Sequence, residues 1–248
     1  MIRHENGVFH LASGCCSYIF RITGFGHLEH IHFGVKMPAD CEIESLRLKT
    51  TAMIGSSVLY DDKDGFYCLD TLPLEWSGIG KGDYRNSPAE IRMADRSYVA
   101  DFKYKGYKIG YGHHLMSELP AASGENPDDP DGCAHLVVEM GDETGGAGLE
   151  LIYTVFPECD VITRRVVLKN ISPEGQLQIR QLMSMMLDLP DRDFVLTTLH
   201  TLVLSACVVC MAVGVPIGIA AAHRPRGSEL FFINESLTVV DVADQRHG

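Results

Sequence analysis

A chain of 248 residues, 46% apolar and 22% charged, is long enough for one globular domain with a sizeable core, and this composition excludes a disordered segment. Its formal net charge of −12 argues against nucleic acid and against anionic membrane surfaces as partners, and is compatible with a neutral ligand. The opening MIRHENGVFHLASG lacks an apolar stretch of signal-peptide length, so the eight cysteines are expected as free thiols in the cytoplasm. On that expectation the glycosylation-type triplets at Asn170 and Asn234 carry no weight.

Val8–Ala12 and Cys16–Thr23 are expected as short strands joined by Ser13-Gly14, and Gly24-Phe25-Gly26 turns the chain into a third at His27–Phe33. Glu42–Lys49 alternates loosely through Ile43, Leu46 and Leu48 and is taken as a further strand. Ala89–Met93, Ser97–Tyr104 and Tyr107–Gly110 follow, with a turn at Ala94-Asp95-Arg96. Gly124–Gly132 is an acidic loop rich in turn residues. His135–Met140 and Gly148–Phe156 are apolar runs that should pair as a hairpin. In Val161–Lys169, Ile162, Val166 and Leu168 share one face, with Arg164 the exception. Leu177, Ile179, Met183, Met185 and Leu187 lie on alternate positions with Gln181 between them. Many strands with no βα alternation predict an all-β fold, a large two-sheet antiparallel β-sandwich.

Several residue groups invite a chemical reading. His30 and His32 fall on one face of a strand, with His27 out of phase; packed or surface histidines are expected there, because no third metal ligand is in view. Cys207-Val-Val-Cys210 has redox spacing without the βαβ context that such a motif needs. His113-His114 sits in a glycine-flanked loop and is expected at the surface. Asp128, Asp129 and Asp131 lie in the acidic loop, which offers neither rigidity nor divergent environments for acid–base work. The stretch Cys68–Pro88, CLDTLPLEWSGIGKGDYRNSP, is different: the only tryptophan, three glycines and a charged Asp83-Tyr84-Arg85 stand close together. Asp83 and Arg85 are the candidates for a substrate or interface side, against a structural ion pair that pins the loop. Trp76 joins them as a possible sugar-stacking ring, against a place in the core. No catalytic residue, metal ligand or cofactor is assigned.

This stretch also carries a resemblance. Together with Asp101–Tyr104, Leu119-Pro-Ala121, YTVFPECDVITRRVVLKN at Tyr153–Asn170 and MSMMLDLPDRDF at Met183–Phe194, it resembles the N-terminal domain of glycoside hydrolase family 36 alpha-galactosidases, in family order from about Val8 to Leu199. The resemblance implies a β-supersandwich. It also implies a parent enzyme that removes terminal alpha-galactosyl groups from melibiose- and raffinose-type sugars with retention. Retention needs two carboxylates about 5–5.5 Å apart. In the family these are aspartates of a (β/α)₈ barrel that follows the matched region, so no aspartate here inherits the role. The family's domain packs on the barrel, supports homo-oligomer contacts and in some members reaches a neighbour's active site. The residues known for that reach do not map onto Met53–Gly65.

Past Leu199 the likeness stops, and Thr201–Ala222 carries no charge. As a membrane helix it would span about 33 Å; as buried strands it would be unusually long and apolar; as the product of a frameshift near codon 199 it would explain the abrupt junction. The third reading is preferred. The expected division is residues 1–199 as the family domain and 200–248 as a divergent tail. The expected product is a fragment or truncated gene product, inactive alone, whose substrate in the full enzyme is an alpha-galactoside. The alternatives are a non-catalytic carbohydrate-binding or assembly module and a membrane-anchored β-domain.

Overall fold

The structure, a computed structural model, describes residues 1–48, 58–112, 114, 132–173, 175–186 and 188, and the backbone of 195–199, 219–223, 230–234 and 238–241. Strands β1 (Ile2–Glu5) and β2 (Val8–Ala12) form a hairpin around Asn6-Gly7. Both turn residues are left-handed, at φ 50° and 77°, the conformation of a tight hairpin whose twist suits its strands. β1 is absent from the strands expected from the sequence, although Asn-Gly is the signal for it. β3 (Cys16–Ile22) and β4 (Leu28–Val35) complete a four-stranded antiparallel sheet in the order β1-β2-β3-β4.

A bulge in β4 changes one expectation. Ile19 pairs with His32 and Phe20 with His30, so Ile31 is the extra residue. His30 is thereby turned inward and His32 outward, and the shared face expected for the two histidines does not exist. The expected strand at Glu42–Lys49 is instead a single helical turn, α1 (Ile43–Leu46). Glu44 there joins Arg21 at 2.8 Å and Arg47 at 2.9 Å, and Ser45 Oγ donates to Glu42 O, so local side-chain bonds outweigh a loose alternation.

The second large sheet has eight strands. β6 (Lys103–Tyr111), β7 (Ala134–Asp142), β8 (Ala147–Phe156) and β9 (Val161–Asn170) run antiparallel in sequence, and β7–β8 is the expected hairpin. Ser97–Phe102, expected in a strand, lies outside the ladder. Ala100 N donates to Ile79 O and Asp101 N to the Asp142 carboxylate at the end of β7, so these two backbone donors are already committed outside the ladder. β5 (Ala89–Arg92) and β10 (Gln178–Leu182) form a separate two-stranded sheet.

Beyond β9 the large sheet continues through β11 (Val195–Leu199), β12 (Ile219–His223) and β13 (Leu230–Asn234). β13 runs parallel to the first half of β9, and β14 (Thr238–Asp241) runs parallel to its second half. The otherwise antiparallel fold therefore has one edge bordered in parallel. The end of the Thr201–Ala222 stretch lies in β12; its residues 201–218 lie outside the described residues, as do His113, the Leu119–Ala121 motif, the acidic loop aspartates and Cys207 and Cys210. Among the described residues no helix is long and apolar enough to cross a membrane.

The fold is all-β, as expected. Phe9, Leu11, Tyr18, Phe20 and Leu28 of the small sheet face Leu136, Val138, Leu149, Leu151, Tyr153, Val155, Ile162 and Val166 of the large one, with Ile91 and Met93 of β5 in the same core. Phe20 and Tyr153 stack across the layers at 5.3 Å between ring centroids. Since Gly7 is left-handed, Gly7→Ala should destabilise the protein by about 1 kcal/mol, read as a lower urea midpoint with an unchanged slope.

Candidate functional site

The Cys68–Pro88 stretch enters through a 3-10 turn, Leu69–Thr71, and then runs along the edge of β4. His30 N donates to Pro73 O at 2.6 Å and Glu75 N to Leu28 O at 2.9 Å. This extended passage drives Glu75 into the core between the four-stranded and eight-stranded sheets, where it is fully buried. Tyr18 of β3 donates to both carboxylate oxygens at 2.8 Å, Tyr153 of β8 to Oε2 at 2.6 Å, and His30 Nδ1 of β4 bonds Oε1 at 2.8 Å. Arg164 of β9 supplies the countercharge: Nη1 lies 3.2 Å from Oε2, and Nη2 donates to Glu75 O at 2.6 Å. Nη1 also donates to Met186 O at 3.1 Å. The one charged residue on the inward face of β9 is thus matched by the one carboxylate the loop delivers to it.

Burial alone would push the Glu75 carboxyl up; the His30 hydrogen bond and the Arg164 charge outweigh it and hold the group below the usual range. Burial, and after it the Glu75 charge, pushes the Tyr18 phenol up, so it stays a donor. Glu75 is therefore an ionised, closed group, the opposite of a general acid, which needs a raised pKa and an open path to substrate.

Past Glu75, Trp76 is buried edge-on to Phe102, with ring centroids 6.4 Å apart. Its Nε1 has no hydrogen-bond partner among the described residues. Gly78 allows the backbone to approach the neighbouring segment: a Cβ there would lie 2.1 Å from Ala100 O. The turn closes with Asp83 N donating to Gly80 O at 3.1 Å. Asp83 and Arg85 are brought together, with Nη2 at 3.0 Å from Oδ2 and Nε at 3.0 Å from Oδ1. Arg85 also donates to Leu72 O at 2.6 Å and Leu69 O at 2.8 Å, and pairs with Asp188. Ser77 Oγ donates to the Asp83 carboxylate at 2.6 Å. The guanidinium is committed to the loop's own carbonyls and carboxylates, which makes it a clasp. Between the clasped residues, Tyr84 is 74% exposed.

A second cluster borders the loop and was not singled out as a site from the sequence, although Asp101 opens one of the quoted motifs. His27 bridges Tyr67 OH at 2.9 Å and Asp101 Oδ1 at 3.0 Å, and Tyr60 OH donates to Asp101 Oδ2 at 2.8 Å. Lys103 lies 3.5 Å from Asp101 and 5.5 Å from the centre of the Tyr60 ring. Burial would raise the Asp101 carboxyl, but the His27 and Tyr60 hydrogen bonds lower it to about 2. Asp101 and Lys103 line one side of an open groove of about 400 Å³ that reaches Lys81, Lys105 and Glu143. Among the described residues no group of histidine, cysteine and carboxylate side chains is arranged to hold a metal.

The matching profile is that of the glycosyl hydrolase family 36 N-terminal domain, over residues 26–200. The chain belongs to this family. Alpha-galactosidase 1 of Pediococcus pentosaceus is 31% identical over 198 residues, covering 80% of this chain and 26% of the relative. Alpha-galactosidase AgaA of Geobacillus stearothermophilus is 28% identical over 186 residues, covering 75% and 25%. Among solved structures, the alpha-galactosidase of Lactobacillus brevis superposes with a TM-score of 0.71 at 26% identity, over 80% of this chain and 26% of that one. A variant of the Geobacillus AgaA enzyme in complex with raffinose superposes with a TM-score of 0.70 at 27% identity, over 77% and 26%. The chain spans about a quarter of the length of these family 36 relatives.

Stability and its pH dependence should both report on these paired carboxylates. Arg164→Leu strands a buried carboxylate and should cost about 3–5 kcal/mol, measured by urea unfolding. Replacing Glu75 and Arg164 together by apolar residues should cost less than the sum of the two single changes. A carboxyl whose folded pKa is depressed adds stability above its unfolded value and loses it as pH falls through the folded one. Both Glu75 and Asp101 are depressed, so the urea midpoint should decline from about pH 4 down toward 2. Asp101→Asn should flatten the lower part of that decline.

Proposed function

We propose that this chain serves as the N-terminal β-supersandwich of a family 36 alpha-galactosidase, a scaffold without catalytic groups of its own. In the assembled enzyme the substrate is a terminal alpha-galactoside of the melibiose or raffinose type, cleaved with retention. The observation that carries the reading is the commitment of the buried carboxylates. Glu29 is held by Arg21 and Arg47, Glu75 by Arg164 and its phenols, Asp83 by Arg85 and Ser77, and Asp142 by the backbone of Asp101 and Gly145. Retaining hydrolysis needs two carboxylates facing each other across an open sugar site. Raffinose and stachyose bound in related AgaA structures support the substrate class.

The Cys68–Pro88 loop, pinned below by Glu75 and clasped above by Arg85, then acts as a contact surface that presents Tyr84 to the rest of the enzyme or to a second copy in a homo-oligomer. The pure 248-residue protein should show no turnover of an aryl alpha-galactoside above the buffer rate. Measurable hydrolysis that co-purifies with the folded chain would sink the proposal.

A further inference from the structure

We propose that the segment 36–48, which crosses the outward face of the four-stranded sheet, is an acid-sensitive strap, released at its leading end when His10 takes up a proton. Ile19 points away from the core between Tyr18 and Phe20 and is nevertheless fully buried, so this face is covered. The strap is latched to it by a chain of two hydrogen bonds. Met37 N donates to Ser17 Oγ at 3.0 Å, and Ser17 Oγ lies 2.8 Å from His10 Nε2. The strand register allows this: His10 lies opposite Ile19, which makes Ser17 its diagonal neighbour on the same face. Ser17 is fully buried, and its hydroxyl has these two partners among the described residues. A peptide N–H cannot accept, so the hydroxyl hydrogen goes to His10 Nε2, and the latch requires the neutral imidazole with that nitrogen as acceptor.

Proton uptake breaks the chain. An imidazolium donates from both nitrogens, which leaves the buried Ser17 hydrogen without an acceptor. It also adds charge where positive groups already stand. Arg3 of β1 lies directly opposite His10, the bulge at Ile31 turns His32 of β4 onto this face, and Lys36 Nζ is anchored on Ser13 O at 2.8 Å and Gly14 O at 3.2 Å at the strap's entry. The negative groups are Glu5 and Asp40, which line an adjoining cavity of about 250 Å³ together with His10, and Asp160, whose Oδ1 is taken up by Ser13 Oγ at 2.8 Å and Cys15 N at 2.5 Å. They do not reverse the field: burial first, then the charges of Arg3, His32, the chain's amino group and Lys36, lower the His10 pKa.

The strap has fixed ends. Lys36 N donates to Cys15 O at 2.8 Å ahead of the latch. Beyond it Glu44 of α1 is held by Arg21 at 2.8 Å and by Arg47 at 2.9 Å, and Arg47 reaches Glu29 at 3.3 Å. Carboxylates stay ionised through the range in which histidine titrates, so release is confined to the stretch between these anchors. A histidine whose pKa is lowered in the closed form withdraws its stabilisation as pH falls from the ordinary value of about 6.5 through the lowered one. The strap is therefore shut above neutrality and lifts in mild acid, which widens the cavity of about 110 Å³ beside Ala12, Met37 and Ala39 and uncovers Ile19.

The test is amide hydrogen exchange of the 248-residue protein at pH 7.5 and pH 5.5, corrected for the intrinsic rates. Protection of the Met37 amide should fall about fivefold at the lower pH, the loss of one hydrogen bond, while the His30 and Glu75 amides keep theirs. His10→Gln, whose carboxamide oxygen accepts the Ser17 hydrogen and does not titrate, should protect Met37 equally at both pH values. His32→Gln should retain the response. In the parent protein the His10 ring resonances should titrate below the ordinary value, a measurement that needs no variant. Met37 protection that is the same at both pH values overturns the proposal, as does a response that survives in His10→Gln or vanishes in His32→Gln. A His10 ring that titrates at or above the ordinary value does so as well.

Discussion

An ionised carboxylate in an apolar core is tolerable only if its environment replaces water completely. Glu75 meets that condition with two phenols, an imidazole and a guanidinium, drawn from β3, β8, β4 and β9. These four strands belong to two different sheets. The carboxylate is therefore a joint between layers as well as the anchor of its own loop, and the relative position of the sheets is tied to where the loop enters. Apolar packing of Phe20 on Tyr153 holds the layers together without direction; the Glu75 contacts add direction, because a hydrogen bond weakens steeply when its donor turns away from the acceptor.

The loop's upper end obeys the same logic at a shallower depth. Arg85 gathers Leu69 O, Leu72 O and Asp83 around one planar group, closing the stretch on itself in a way that lysine could not reproduce. The aromatic ring of Trp76 between these two anchors is spent on core packing against Phe102. What remains outward-facing is Tyr84 and the mixed-charge groove that begins at Asp101, surfaces suited to contact rather than to bond cleavage.

Much of this was legible in the residues. Short segments bounded by turn residues located β2, β3, β5 and β8, and alternation located β9, each to within a residue or two, and the quoted motifs pointed to the family that the profile match identifies. The failures have separate physical causes. Asn6-Gly7 announced a hairpin, but Ile2–Glu5 is too short and too polar to stand out as a strand. The period-two rule for His30 and His32 broke at a bulge, which leaves no mark in a single sequence. Glu42–Lys49 was decided by ion pairs that alternation does not encode. Arg164 stood out as an exception on an apolar face, yet its partner lies 89 positions away, and nothing local names it. Of the candidate site residues, Asp83 and Arg85 were placed together by their spacing of two, whereas the joining of His27, Tyr60 and Asp101 depends on three distant segments meeting.

The attachment of Glu75 to both layers has a consequence for how the molecule breathes. A surface loop ordinarily opens alone, at little cost, and its amides exchange with solvent long before the domain unfolds. Here the loop cannot lift away without uncovering Arg164 and withdrawing the acceptor from Tyr18 and Tyr153. The backbone hydrogens of His30 and Glu75, which tie the loop to β4, belong to the same cooperative unit as the sheets. A segment that looks peripheral in the chain thus shares the lifetime of the core.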